Sequence, residues 1–97
     1  MTQQLTMMVV LEAKPEKAAE LESMLDFVTK ASRDEDYCID YRLHRSLENP
    51  NQFVLYEVWQ SAELHELQFE KPYIKDFMAK VEELLAKPFQ AIAAKEI

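Results

Sequence analysis

Leu5, Met7, Val9 and Leu11 fall on one side of an extended segment, and Thr6, Met8 and Val10 fall on the other, so the run from Leu5 to Ala13 predicts a first strand. Pro15 then presets the backbone for a helical turn. Leu21, Met24, Leu25 and Val28 recur at helical spacing while Glu16, Lys17, Glu20, Glu22 and Lys30 lie elsewhere, which predicts a helix over about 15–32. Arg33-Asp34-Glu35-Asp36 reads as a solvated turn. Beyond it Tyr37, Ile39, Tyr41 and Leu43 alternate with Cys38, Asp40, Arg42 and His44, the period of a half-buried strand. Asn49-Pro50-Asn51 is turn chemistry, and Gln52 to Trp59 is again rich in β-formers, so the second and third strands predict a hairpin.

Ser61 is placed to cap the next helix through its hydroxyl, with Glu63 favourable against the positive end of the helix dipole. Pro72 interrupts that helix and restarts a longer one, on which Ile74, Phe77, Met78, Val81 and Leu85 share a face and which Pro88 is expected to close. Phe89 to Ile97 reads as a last strand. The order β-α-β-β-α-β is the split βαβ arrangement of a ferredoxin-like α+β fold, with a four-stranded antiparallel sheet and both helices on one face. Strands one and three are largely apolar on both sides. The face without helices therefore predicts a second subunit, most simply across a two-fold axis.

Composition narrows what such a domain can do. The 97 residues fit a single domain over 1–97. They include no glycine, which excludes both a P-loop and a G-x-G-x-x-G dinucleotide turn, because those backbones must approach a phosphate without a Cβ. A net charge of −7 repels nucleic acid and anionic lipid. No stretch is long and apolar enough for a membrane span, and Met1-Thr2-Gln3-Gln4 carries no basic leader. A single cysteine, Cys38, has no internal partner. These features predict a cytoplasmic protein with neither nucleic-acid nor membrane partners.

Candidate chemistry is sparse. His65-Glu66 lacks the second histidine of a zincin motif, since Phe69 stands in its place, and His44 lies apart on the second strand, so no metal site is expected. Cys38 reads as a small buried hydrophobe, and Ser61 is fully explained as a cap. Aromatic density is the stronger signal. Tyr41, Tyr56 and Trp59 sit on the hairpin, and Phe69, Tyr73 and Phe77 sit on the facing helical stretch. Each ring alone is ordinary core material. Glu57 alters that reading, because an ionised carboxylate in a strand apolar on both sides costs several kcal/mol unless it finds a partner or lines a wet cavity. With Trp59 two residues along on the same face, it points to a small-molecule pocket between sheet and helices.

The segments Tyr41-Arg42-Leu43-His44-Arg45-Ser46, Asn49-Pro50-Asn51-Gln52-Phe53, Leu55-Tyr56-Glu57-Val58-Trp59 and Pro72-Tyr73-Ile74-Lys75-Asp76-Phe77 resemble the antibiotic biosynthesis monooxygenase domain family. The resemblance implies dimers of the α/β-barrel type, joined through the sheet face. It also implies a pocket between helices and sheet that oxidises a quinol or anthrone with O₂ and without metal, flavin or nicotinamide. The enzyme helps the substrate lose a proton, and the electron-rich anion itself reduces O₂. On this likeness Glu57, His65 and Tyr73 are the catalytic candidates, and Trp59, Gln68, Tyr41, His44 and Phe77 are the substrate contacts, with His44 a reserve base. Gln68 and Tyr73 stand where the family usually carries histidines. Gln68 cannot take a proton, and a tyrosine with a pKa of roughly 10 is a poor base at neutral pH. Heme-degrading relatives use an asparagine on the first strand and a histidine on the later helix; both are missing. The alternatives are a non-catalytic dimeric module that binds a small aromatic molecule, favoured by the missing histidines, and isomerisation of a small sugar, as in other relatives.

Overall fold

Three eight-residue strands, β1 (Leu5–Glu12), β2 (Cys38–Arg45) and β3 (Gln52–Trp59), join a shorter β4 (Gln90–Ala94) in one antiparallel sheet of order β2-β3-β1-β4. These elements are seen in a computed structural model that describes residues 3–97, leaving Met1 and Thr2 of the leader reading outside the described residues. Helix α1 (Ala18–Arg33) follows a 3-10 turn at Pro15–Lys17. The second crossover is built from a one-turn helix α2 (Ala62–His65), a 3-10 turn at Glu66–Glu70, and α3 (Pro72–Leu84). This is the ferredoxin-like α+β fold expected from the pattern. Among the described residues, no helix is long and apolar enough to cross a membrane.

The strict alternation of β3 decides which face is inside. Phe53, Leu55, Glu57 and Trp59 are buried, while Gln52, Val54, Tyr56 and Val58 are half-buried on the opposite face. The register Met7↔Glu57, Val9↔Leu55 and Leu11↔Phe53 puts the odd-numbered side chains of β1 on the same side. Onto that side α1 lays Leu21, Leu25 and Val28, and α3 lays Ile74, Val81 and Leu84, closing one apolar core. The Ser61 hydroxyl accepts from the Leu64 amide at 3.1 Å, so the predicted cap is formed.

Four local expectations fail. The alternation of β2 breaks at its start: Cys38 pairs with Trp59 and Asp40 with Val58, so Ile39 is the surplus residue of a bulge and points into solvent, while Tyr41 is buried. Helix α3 ends at Leu84 rather than at Pro88, because the chain turns to pair with the end of β1. Lys14 N–H donates to the Leu84 carbonyl at 2.9 Å and Ala86 N–H donates to the Glu12 carbonyl at 2.8 Å, so Leu85 is buried from extended backbone. Met78, predicted on the buried stripe, is exposed. The last strand is shorter than Phe89–Ile97 and solvent-exposed along its length.

The face without helices carries Thr6, Met8 and Val10 of β1, Val54, Tyr56 and Val58 of β3 and Ile92 of β4, with Asp40, Arg42 and His44 along one margin. Met8 is 42% and Ile92 55% exposed there. On the helical side, Leu25→Ala is expected to lower the unfolding free energy by about 2–5 kcal/mol. Phe27→Ala, at a position 61% exposed two residues along the same helix, should stay within about 1 kcal/mol of wild type. Urea denaturation of the two variants checks the contrast.

Candidate active site

The site begins with two side chains of β3. Glu57 and Trp59 are two residues apart, so the pleat points both toward the helices, and the indole Nε1–H donates to Glu57 Oε1 at 2.9 Å. Tyr41 is the cross-strand partner of Glu57, and its hydroxyl favours the charged form of the carboxylate. Glu57 is 5% exposed. Burial raises its pKa from the ordinary carboxylate range to about 7, against the Trp59 indole and the Tyr41 hydroxyl, which favour the charged form. Burial also raises the pKa of Tyr41, and the Glu57 charge adds to that shift.

Rings surround the pair. Tyr37 and Tyr41 lie 5.8 and 6.0 Å from the Trp59 ring, and His65 lies 5.0 Å from it, with Phe69 a further 5.5 Å from His65. His65 reaches this place because α2 is a single turn held tightly against the end of β3 by the Ser61 cap. Burial pulls its pKa below the usual histidine value, with Glu66 opposing, so the imidazole is neutral at physiological pH.

Between sheet and helices these groups line a cavity of about 190 Å³ whose other walls are almost wholly apolar, among them Met7, Val9 and Leu55 of the sheet and Ile74 and Phe77 of α3. Phe69, Met78 and Phe89 are its exposed wall residues and form its mouth. Glu57, Trp59, Tyr41, His65, Gln68 and Phe77 thus come together at one cavity. The other two candidates do not. His44 lies on the open sheet face with Nδ1 3.3 Å from the Val54 carbonyl oxygen. Tyr73 opens the first turn of α3 toward α1, where its ring meets Phe27 edge-on and its hydroxyl donates to Glu35 Oε2 at 2.8 Å.

Gln68 lines the cavity with both of its amide hydrogens already committed. Its carbonyl oxygen accepts from the Tyr37 hydroxyl at 3.0 Å, and its amide donates to Ser32 Oγ at 3.2 Å and to the Tyr73 oxygen at 3.3 Å. It clamps the 3-10 turn to the end of α1. Sequence reasoning passed over Ser32 and Glu35. Ser32 continues the spacing Leu21, Leu25, Val28, Ser32, and a polar residue on an apolar stripe was the available signal.

Among the described residues no three His, Cys, Asp or Glu side chains converge as metal ligands. The arrangement has the chemistry to accept a proton from a weakly acidic small molecule at Glu57, and to hydrogen-bond its oxygens from Tyr41 or His65.

Residues 4–80 match the family model described as antibiotic biosynthesis monooxygenase. A Synechocystis protein is 32% identical over 80% of this chain, which spans about half, 53%, of that relative's length. A Bacillus subtilis protein named "Putative monooxygenase YcnE" is 32% identical over 88% of this chain and 94% of its own. A crystal structure from Pseudomonas aeruginosa superposes with a TM-score of 0.93 at 25% identity, covering 100% of this chain and 97% of that one.

The raised Glu57 pKa has a consequence for stability. Between 4.5 and about 7 the folded state holds a proton that the unfolded chain releases, so this group's contribution falls as pH rises through that window and levels off above it. Glu57→Gln removes the effect. Relative to that variant, the wild type is expected to lose about 2–3 kcal/mol of unfolding free energy between pH 5 and pH 8, read by urea denaturation at both pH values.

Proposed function

Because the chain belongs to the antibiotic biosynthesis monooxygenase family, we propose that it is a cofactor-independent monooxygenase acting with O₂ on a small quinol of one aromatic ring. The observation that carries the reading is the buried Glu57 carboxylate, titrating near neutrality and facing an apolar cavity. Glu57 takes the acidic proton of the bound substrate, and the resulting ring anion passes its electrons to O₂, forming a C–O bond. Glu57 returns the proton to the peroxide, which loses water and leaves one oxygen atom on the ring. Trp59 orients the base. Tyr41 and neutral His65 hydrogen-bond the substrate oxygens, and Phe77 flanks the ring.

The cavity volume limits the substrate. An apolar cavity of roughly 150 Å³ holds benzene, so about 190 Å³ suits one substituted ring, and a three-ring anthrone requires the mouth to open. An oxygen electrode with a panel of hydroquinones and metal-stripped protein tests the reading. Uptake is expected to rise with pH through about 7, where the base loses its proton. Glu57→Gln should lower kcat about 10²-fold or more. Thermal stabilisation by the same quinols without oxygen uptake above the variant would replace catalysis with binding alone.

The apolar sheet face supports a homodimer about a two-fold axis, because Met8 and Ile92 otherwise stand in water on a continuous apolar surface. Wild type is expected to sediment at twice 11.4 kDa, and the double variant Met8→Lys, Ile92→Lys at 11.4 kDa, with unchanged secondary structure by circular dichroism.

A further inference from the structure

Where α1 and α3 lie side by side over the sheet, their outer edges leave a trough. Glu20 in the first turn of α1 meets Lys80 late in α3, with Oε2 3.5 Å from Nζ, while Phe27 meets the ring of Tyr73 from the first turn of α3 at 6.4 Å. The helices therefore run antiparallel and are bridged at two places. Between the bridges the edge positions are Ser23, three residues after Glu20, and Asp76, three residues after Tyr73. Both side chains are short. They leave a groove of about 570 Å³, and its floor is formed by Met24, Val28 and Phe77, which pack against the core. From Glu20 to Phe27 the groove is roughly 10 Å long at the helical rise of about 1.5 Å per residue.

Two of the floor residues are also walls of the cavity beneath. Val28 and Phe77 line both spaces, so a single layer of side chains separates the groove from the cavity that holds Glu57. The two differ in freedom. Val28 is 3% exposed, and its branched side chain is held to one rotamer on a helix. Phe77 is half-buried with space on either side of its ring, which can turn without displacing a packed neighbour.

We propose that Phe77 is a gate between the cavity and the groove, and that the groove takes the apolar tail of a quinol whose ring occupies the cavity. The inference rests on the proposed quinol site and narrows its substrate to a ring carrying an unbranched alkyl chain. The walls select that occupant. Met24, Val28, Phe77 and the ring of Phe27 offer apolar surface along the length of the groove. Glu20 and Asp76 on the rim disfavour a tail that ends in a carboxylate, and Lys80 is already paired with Glu20. A chain bends at each methylene and passes a gap one side chain wide once the Phe77 ring has turned. A fused second ring is rigid and coplanar with the first, and it meets Val28.

The experiment is isothermal titration calorimetry under nitrogen with phenol and its para-ethyl, para-butyl and para-hexyl derivatives, which supply the ring and a tail of graded length. In the wild type each added methylene is expected to lower Kd about twofold, half of the effect of complete burial, because the groove is open on its outer side. Ser23→Phe fills the groove from an exposed position of α1. In that variant phenol should bind as before, and the hexyl derivative should lose about tenfold or more of its gain. A branched tail tests the gate itself: para-tert-octylphenol is expected to bind the wild type no better than phenol, and to bind Phe77→Ala about tenfold tighter than the wild type. Ser23→Phe changes only a surface position, so it decides the question if Phe77→Ala folds poorly. A wild-type Kd that does not depend on chain length overturns the proposal. So does a hexyl gain that survives Ser23→Phe, since the tail then leaves through the mouth at Phe69, Met78 and Phe89. Oxygen is absent throughout, so the result is independent of turnover: tail-dependent binding in a protein that consumes no oxygen keeps the groove and removes the reaction, and oxygen uptake with a Kd flat in chain length does the reverse.

Discussion

The hydrogen bond from the Trp59 indole to the Glu57 carboxylate is the contact on which the interior is organised. A carboxylate on the core face of a central strand costs several kcal/mol when ionised and unpaired. The indole N–H at 2.9 Å and the Tyr41 hydroxyl offset part of that cost, and the residue shows as a pKa of about 7. A leucine at position 57 would pack against Met7 and Leu55 with no such penalty. The fold therefore gives up stability to keep a titratable group beside an apolar cavity, which supports the reading of that cavity as a site.

The sheet and the roof contribute differently. Strands β1, β2 and β3 set the positions of Met7, Tyr41, Glu57 and Trp59 through a continuous hydrogen-bonded register. The roof over them is a broken segment of one helical turn, a 3-10 turn and the restart at Pro72. Such a segment cannot be positioned by a repeating apolar stripe. Discrete polar bonds position it instead, the Ser61 cap at one end and the Gln68 clamp to Ser32, Tyr37 and Tyr73 at the other. The same clamp holds the roof against α1, so the shape of the cavity depends on one side chain.

This division explains what could be read along the chain. The alternation in β3 placed Glu57 and Trp59 on one face, and the helical stripes placed Leu21, Leu25, Val28, Ile74 and Val81 in the core, because burial enforces strict periods. The bulge at Ile39 was illegible, since no glycine or proline marks it and it answers only to pairing with β3. The end of α3 was misplaced because a tertiary pairing with β1, not Pro88, stops it. Tyr73 left the cavity because it follows the 3-10 turn at Glu66–Glu70, and the rotation of residues through such a turn is invisible to any 3.6-residue period. Gln68 was read as a substrate contact and Tyr73 as a catalytic candidate from their places in the chain, and the bonds they make run to each other, to Ser32 of α1 and to Tyr37 and Glu35 beyond it.

A carboxylate base suits an apolar cavity for an electrostatic reason. When Glu57 takes a proton from a neutral quinol, the negative charge moves onto the ring without any new charge being created in the low-dielectric interior. His65 acting as base would separate a cation from an anion there, at greater cost, and its neutral form is better suited to hydrogen-bonding the oxygen on which charge gathers. The chain's charge of −7 acts in the same sense, discouraging substrates that arrive already ionised and leaving the first deprotonation to the site. Because the proton can return to the peroxide, the chemistry consumes none overall.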